Sequence, residues 1–226
     1  MKFFAVIVAG GSGTRMNSEI PKQFLLLNGK PVIMHTIAAF FASIEKPEIL
    51  VVLNRQQFSY WEDLCELHQF KVPHQLVAGG ETRFHSVKNA LEKIDEDAVV
   101  AIHDAVRPLI NTAIISNAYQ QALKTGNAVV AVPSKDSVRW QKTNGETQNL
   151  NRSEVFLVQT PQTFQSKQLK KAYEQEYSQE FTDDASVVER SGEKINLIEG
   201  NPENFKITFP ADLRIAEMLL NEKSRM

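Results

Sequence analysis

Phe3-Phe4-Ala5-Val6-Ile7-Val8-Ala9 runs directly into Gly10-Gly11-Ser12-Gly13-Thr14-Arg15. An unbroken apolar run of this length, with no polar alternation, predicts a strand buried on both faces. The glycines that follow let the chain turn sharply and point successive N–H groups inward, as loops that wrap phosphate do. Met1-Lys2 before an apolar run also mimics a signal peptide. The run, however, only reaches the minimum length of such a segment and leads into a functional loop, not a cleavage region. The expectation is a buried first strand in a cytoplasmic protein. Neither standard glycine-loop fingerprint fits. Met16 stands where a dinucleotide loop needs its third glycine, and no Gly-Lys-Ser/Thr closes a Walker loop. Arg15, followed by Pro21-Lys22-Gln23, sets two cations beside the loop, which suits a polyphosphate.

Further apolar runs recur outward from this point. Ile49–Leu53, Gln75–Val77, Ala98–Ile102, Ala128–Val132 and Val155–Val158 read as strands. Amphipathic stretches lie between them: Val32–Ile44 with Pro31 at a first helical position, Gln56–His68, Thr82–Ile94, Thr112–Lys124 and Ser166–Tyr177. Alternation of this kind predicts an α/β fold, a mainly parallel sheet with helices on both faces. The pattern changes after Val132. Ser137–Gln141 and Thr147–Leu150 flank Asn144-Gly145, a hairpin signal. The segment is polar and has little of its own to bury, so Lys135–Arg152 reads as an arm protruding from the body, toward a second subunit; an ordinary solvent-exposed hairpin is the other reading. The tail returns to a helix at Asp183–Arg190, strands at Lys194–Ile198 and Phe205–Thr208, and a helix from Pro210 to Leu220. The whole chain, 1–226, reads as one domain with an excursion at 135–152.

Composition excludes several classes. Of 226 residues, 25 are Lys or Arg and 27 Asp or Glu, a formal net charge of −2, so bulk electrostatics do not suit a protein that grips nucleic acid. Cys65 is the only cysteine, which rules out an internal disulfide framework and a multi-cysteine zinc site. No run approaches the ~20 apolar residues of a membrane span.

The polar motifs cluster at strand ends. Gly79-Gly80-Glu81-Thr82-Arg83 with Ser86 stands at a strand-to-helix junction, where main chain can approach a nucleobase edge; a helix entry capped by Thr82 is the other reading. His103-Asp104-Ala105-Val106-Arg107-Pro108 follows the run Ala98–Ile102 at the strand edge where open α/β sheets bind ligands. Asp104 could hold a divalent cation or a ribose hydroxyl, and Arg107 a phosphate, or the two could form an ion pair. His103 has no second ligand at metal spacing and reads as structural. Arg152 with Thr160-Pro161-Gln162-Thr163, Thr182-Asp183-Asp184, and Asn204-Phe205-Lys206-Ile207-Thr208 complete the set. A lysine within an apolar strand needs either a partner or an outward face. Cations outnumber candidate bases near these motifs, which suits phosphoryl or nucleotidyl transfer.

In order and at their spacing, these segments resemble the 2-C-methyl-D-erythritol 4-phosphate cytidylyltransferases of the non-mevalonate isoprenoid pathway, from about Val6 to the C-terminal helix. The resemblance implies a Rossmann-like nucleotidyltransferase (GT-A-like) fold, a homodimer with exchanged arms, and the use of CTP with a divalent metal, normally magnesium. It implies that Ala9, Gly10 and Gly11 line the nucleotide, that Arg15 and Lys22 stabilise the transition state, and that Gly80, Glu81 and Ser86 read cytosine. Asp104 would sit near ribose and metal with Ala105 beside it. Arg107, Ser137, Arg152, Thr160 and Lys206 would bind the sugar-alcohol phosphate, with Arg152 and Lys206 aiming it. The first loop is as similar to that of ribitol-5-phosphate cytidylyltransferases, and Glu81 and Ser137 stand where Asp and Thr are expected. His103–Pro108 and Gly200–Lys206 favour the isoprenoid family. An alternative of another class is a regulatory module that binds CTP without turnover.

Overall fold

The computed structural model describes residues 1–10, 20–94 and 97–223. Arg15 and Gly11, both expected at the nucleotide, lie outside the described residues. The strands are β1 (Lys2–Val8), β2 (Leu26–Leu27), β3 (Lys30–Pro31), β4 (Glu48–Leu53), β5 (Gln75–Ala78), β6 (Ala98–Asp104), β7 (Asn127–Pro133), β8 (Val138–Gln141), β9 (Thr147–Leu150), β10 (Phe156–Gln165) and β11 (Leu197–Glu199). The helices are α1 (Val32–Phe41), α2 (Phe58–Leu67), α3 (Arg83–Leu91), α4 (Thr112–Thr125), α5 (Ser166–Ala172), α6 (Asp184–Arg190) and α7 (Pro210–Lys223).

A seven-stranded sheet runs in the order β11-β7-β10-β6-β1-β4-β5. Its pairings are parallel except for β10, which is antiparallel to both β6 and β7. The first strand is buried as expected, and its period of two divides it between two cores. Phe4 and Val6 face a cluster with α3, α5 and α6, whereas Ala5 and Ile7 face a second cluster with α1, α2 and α4. A third cluster, built from Leu27, Val32, Val106, Ile207 and Ala216, seats α7 over the loop after β6. The C-terminal ends of the parallel strands are tied in step. Ala9 N–H bonds Val52 O at 2.9 Å, Ala105 N–H bonds Val8 O at 3.0 Å, and Gly79 N–H bonds Leu53 O at 2.8 Å.

Several expectations require correction. Phe205–Thr208 is not a strand. It crosses the sheet's end, where Ile207 N–H bonds Val106 O at 2.9 Å. Alternation still operates there, burying Ile207 and turning Lys206 outward. The strand expected at Val155–Val158 extends to Gln165 and takes in Thr160–Thr163, because Pro161 occupies a register shift between Val158 and Gln162, where no ladder bond is lost. Pro31 sits at the cap before α1, not in its first turn. The helices α1, α3 and α5 stop short of the apolar period, which continues as tighter turns closed by Ser43 N–H to Phe40 O, Ile94 N–H to Leu91 O and Glu174 N–H to Lys171 O.

The hairpin β8–β9 turns through a loop in which Gly145 has φ 88°. Its side chains are exposed along nearly its whole length, Trp140 at 53%. No helix among the described residues is long and apolar enough to cross a membrane.

Candidate active site

The loops at the strand ends enclose a cleft of about 390 Å³ lined by Ala9, Gly10, Lys22, Gly80, Glu81 and Asp104 among others. Its two glycine loops meet around Ser86. A Cβ on Gly10 would stand 3.5 Å from Ser86 Oγ, and one on Gly79 3.2 Å. A Cβ on Gly80 would run to 2.4 Å from that of His85, so no side chain fits there. Ser86 is buried and occupied: its hydroxyl donates to Thr82 O at 2.9 Å and accepts from Gly80 N–H at 3.1 Å. It therefore holds the loop's shape first and has one lone pair left for a ligand. Thr82 caps α3, so the helix-entry reading and the close-approach reading hold together. Gln23, which went unassigned in the sequence, is fully buried and donates to Ala9 O at 2.9 Å and to Gln57 Oε1 at 3.2 Å, fixing the start of the first loop. Lys22 reaches across to Ile207 O at 3.3 Å.

Asp104 ends β6 and is nearly buried. Its Oδ2 lies 3.0 Å from Lys206 Nζ and 3.4 Å from Arg107 Nε, and its Oδ1 lies 3.8 Å from Arg83 Nε. Burial alone would raise the pKa of this carboxyl. Lys206, Arg83 and Arg107 outweigh it and hold the group well below the usual carboxylate range. The ion pair foreseen between Asp104 and Arg107 exists, but as one part of a four-residue cluster. Arg107 also donates to Asn204 O at 2.8 Å, and Asn204 donates to Thr160 O at 2.8 Å.

His103 is structural, as its isolation suggested. Its Nε2 stands 3.2 Å from Arg107 O, a group that can only accept, so Nε2 carries the proton. Nδ1 then accepts from Thr160 Oγ1 at 3.1 Å, and Thr160 Oγ1 accepts from Asp104 N–H at 3.1 Å. Burial keeps the imidazole neutral, its pKa lowered to about 3. Thr160, expected at the acceptor, has its hydroxyl spent on this brace. Ala105, expected at the nucleotide, is wholly buried behind the wall. Its N–H goes to Val8 O and its carbonyl accepts from Thr36 Oγ1 at 2.8 Å.

Two smaller hollows share lining residues with the cleft. A notch of about 180 Å³ is lined by Arg83, Asp104, Arg107, Thr160, Gln162 and Lys206 among others. A groove of about 370 Å³ lies between Arg107 and Lys206 on one side and Pro133–Asp136 on the other. Lys206 lines all three hollows. Ser137 and Arg152 line none of them; both are exposed on the arm, where Arg152 donates to Lys135 O at 3.3 Å.

Glu81 and Asp104 are, among the described residues, the carboxylates on the cleft wall. Among the described residues no group of three His, Cys, Asp or Glu side chains could cage a metal ion. Both oxygens of Asp104 face cations, so these residues would suit an ion held mainly by polyphosphate oxygens and water better than a bare ion.

A family model described as 2-C-methyl-D-erythritol 4-phosphate cytidylyltransferase matches residues 3–222. A protein of that name from Bacteroides fragilis is 48% identical, covering 96% of this chain and 98% of its own. One from Halalkalibacterium halodurans is 36% identical over 100% of both. Among solved structures, the cytidylyltransferase of that name from Thermus thermophilus superposes with a TM-score of 0.78 at 29% identity, covering 98% of this chain and 100% of that one. The 4-diphosphocytidyl-2C-methyl-D-erythritol synthase from Anaerococcus prevotii gives 0.83 at 27%, covering 97% and 96%. On a match that takes in the parallel sheet, both glycine loops and the Asp104 cluster, the chain belongs to the 2-C-methyl-D-erythritol 4-phosphate cytidylyltransferase family.

Proposed function

We propose that the cleft takes CTP, that the adjoining groove takes the sugar-alcohol phosphate, and that transfer occurs between them at Asp104, Lys206 and Arg107. The chain is a cytidylyltransferase of isoprenoid biosynthesis. Its reaction joins CTP and 2-C-methyl-D-erythritol 4-phosphate into 4-diphosphocytidyl-2-C-methyl-D-erythritol and pyrophosphate. A phosphate oxygen of the acceptor attacks the α-phosphorus of CTP in line. The new P–O bond forms as the α–β bridge breaks, and pyrophosphate leaves with the electron pair. The nucleophile is already an anion, so no general base is required, and the protein's work is to position and to neutralise.

The observation that carries this reading is that one cation, Lys206, lines all three hollows. Gly80 and Glu81 border the part of the cleft that holds cytosine, with Ser86 bracing the loop. Ala9 and Gly10 line the part of the cleft that takes the triphosphate, and Lys22 faces the charge that builds on phosphorus; the parts expected of Gly11 and Arg15 fall on residues outside those described. Magnesium bound to the triphosphate, beside Asp104, would supply further charge neutralisation there. Arg107 and Lys206 receive the acceptor's phosphate, and Thr160 supports them from beneath. Ser137 and Arg152 reach the groove of a second copy, so the working unit is a homodimer. The exposed Trp140, Phe156, Leu157 and Val158 at and below the arm support that assembly. A cytoplasmic setting, without nucleic acid or membrane, suits these small charged substrates.

Pyrophosphate release with CTP and magnesium, offered methylerythritol 4-phosphate and ribitol 5-phosphate in parallel, tests this reading. Release with the first acceptor is expected. Release with ribitol 5-phosphate alone would overturn the acceptor, and CTP binding without release from either would point to a sensor.

A further inference from the structure

Arg83 opens α3, directly after the second glycine loop, and its guanidinium is more constrained than a helix-start cation requires. Nη1 donates to Asp184 Oδ1 at 2.9 Å and Nη2 to Asp184 Oδ2 at 2.6 Å, a two-pronged bond that sets the plane of the group. Asp184 lies at the start of α6, is fully buried, and accepts a third bond from Tyr173 Oη at 2.6 Å. With both Nη atoms bound in this way, the remaining nitrogen, Nε, faces Asp104 Oδ1 at 3.8 Å. The other oxygen of the same carboxylate holds Lys206 and Arg107. Arg83 also lines both the cleft and the notch.

We propose that Arg83 is a positioning residue for the transfer: anchored on Asp184, it fixes the Asp104 carboxylate, and through it the Lys206 and Arg107 cations that meet the acceptor's phosphate. This rests on the reading above of where the acceptor binds. The division of labour on Asp104 is its basis. One oxygen is kept toward Arg83, so the other stays turned to the two cations of the groove. A pair whose only task was to join α3 to α6 would be complete with Asp184, and would not need its Nε turned to a second carboxylate. Lysine could not serve, because one ammonium cannot hold a carboxylate by two parallel bonds and face another at once.

Arg83→Ala would strand the buried Asp184 charge and unfold the chain for reasons unrelated to catalysis. The test is therefore the paired variant R83M/D184N, which removes both charges together and leaves an amide oxygen to accept from Tyr173. It is compared with wild type and R83K for thermal unfolding, for CTP binding by calorimetry, and for kcat and KM measured separately with methylerythritol 4-phosphate and with CTP. The paired variant is expected to fold and to bind CTP within a fewfold of wild type. Its kcat/KM for the acceptor should fall by about a hundredfold, the loss typical of a misplaced reacting group. The loss should divide between a higher KM for the acceptor and a lower kcat, with the KM for CTP nearly unchanged, whereas a merely structural loss would weaken both substrates alike. R83K should fall at least about tenfold in the same way, and it decides the matter if the pair does not fold. A folded variant with wild-type kcat/KM for the acceptor, or with CTP weakened as much as the acceptor, would overturn the proposal. If wild type itself releases no pyrophosphate with this acceptor, the underlying reading fails instead.

Discussion

Asp104 does nothing distinctive as an isolated carboxylate; three cations around it decide its part. The same holds for Lys22, whose proposed part depends on charge that exists only as the α-phosphorus becomes five-coordinate. Lys22→Ala should lower kcat by about 100–1,000-fold while CTP affinity changes far less. Steady-state turnover alongside equilibrium CTP binding checks this, and near wild-type turnover would remove Lys22 from the mechanism. Asp104, Arg107 and Lys206 were legible in the sequence because charge at the end of a buried parallel strand, or within an apolar stretch, has few bland explanations. Arg83 was visible only as part of a motif. Its partner Asp184 stands 101 residues away, and spacing along a chain does not encode a contact of that range. Ser86, Thr160 and Ala105 lie at or beside the site, and each also bonds the scaffold, a second task that residue type alone does not reveal.

The join between β6 and β10 belongs to the scale of elements. Asp104 N–H, Thr160, His103 and Arg107 O form one hydrogen-bonded chain, which requires a neutral imidazole. Burial lowers the folded pKa of His103 from 6.5 to about 3. Below about pH 6.5 the unfolded chain takes up a proton that the folded chain refuses, so this stability is present above that pH and is lost as pH falls toward 3. Denaturant unfolding should therefore weaken from about pH 7 to 5, by at most ~1.4 kcal/mol per pH unit from this group. His103→Asn should flatten that slope, and an unchanged slope would show that the imidazole is protonated in place. Most strands were legible because parallel strands buried on both faces are unbroken apolar runs. The far half of β10 was not, since Pro161 argues against a central strand unless a register shift accommodates it. Phe205–Thr208 has a strand's alternation but lies over the sheet's end, a distinction its sequence does not carry.

At the scale of the whole molecule, the arm is the part that a single chain does not explain. Its polar composition made it legible as an arm, but the surface it meets has no trace in its own residues. Sedimentation of the intact protein should give a dimer at micromolar concentration. Arg152→Ala should raise the KM for the sugar-alcohol phosphate at least as strongly as it lowers kcat, with CTP binding nearly unchanged. A folded Arg152→Ala protein defective in CTP binding would contradict the exchange. Everything else converges on the shared wall between cleft and groove. The most direct test of that wall is Lys206→Met, with kcat/KM for methylerythritol 4-phosphate and the CTP dissociation constant measured on the same preparation. A fall of about a hundredfold or more in the first, with the second changed by a fewfold at most, is the predicted result. Unchanged acceptor kinetics, or CTP binding lost while acceptor kinetics stay intact, would contradict the account.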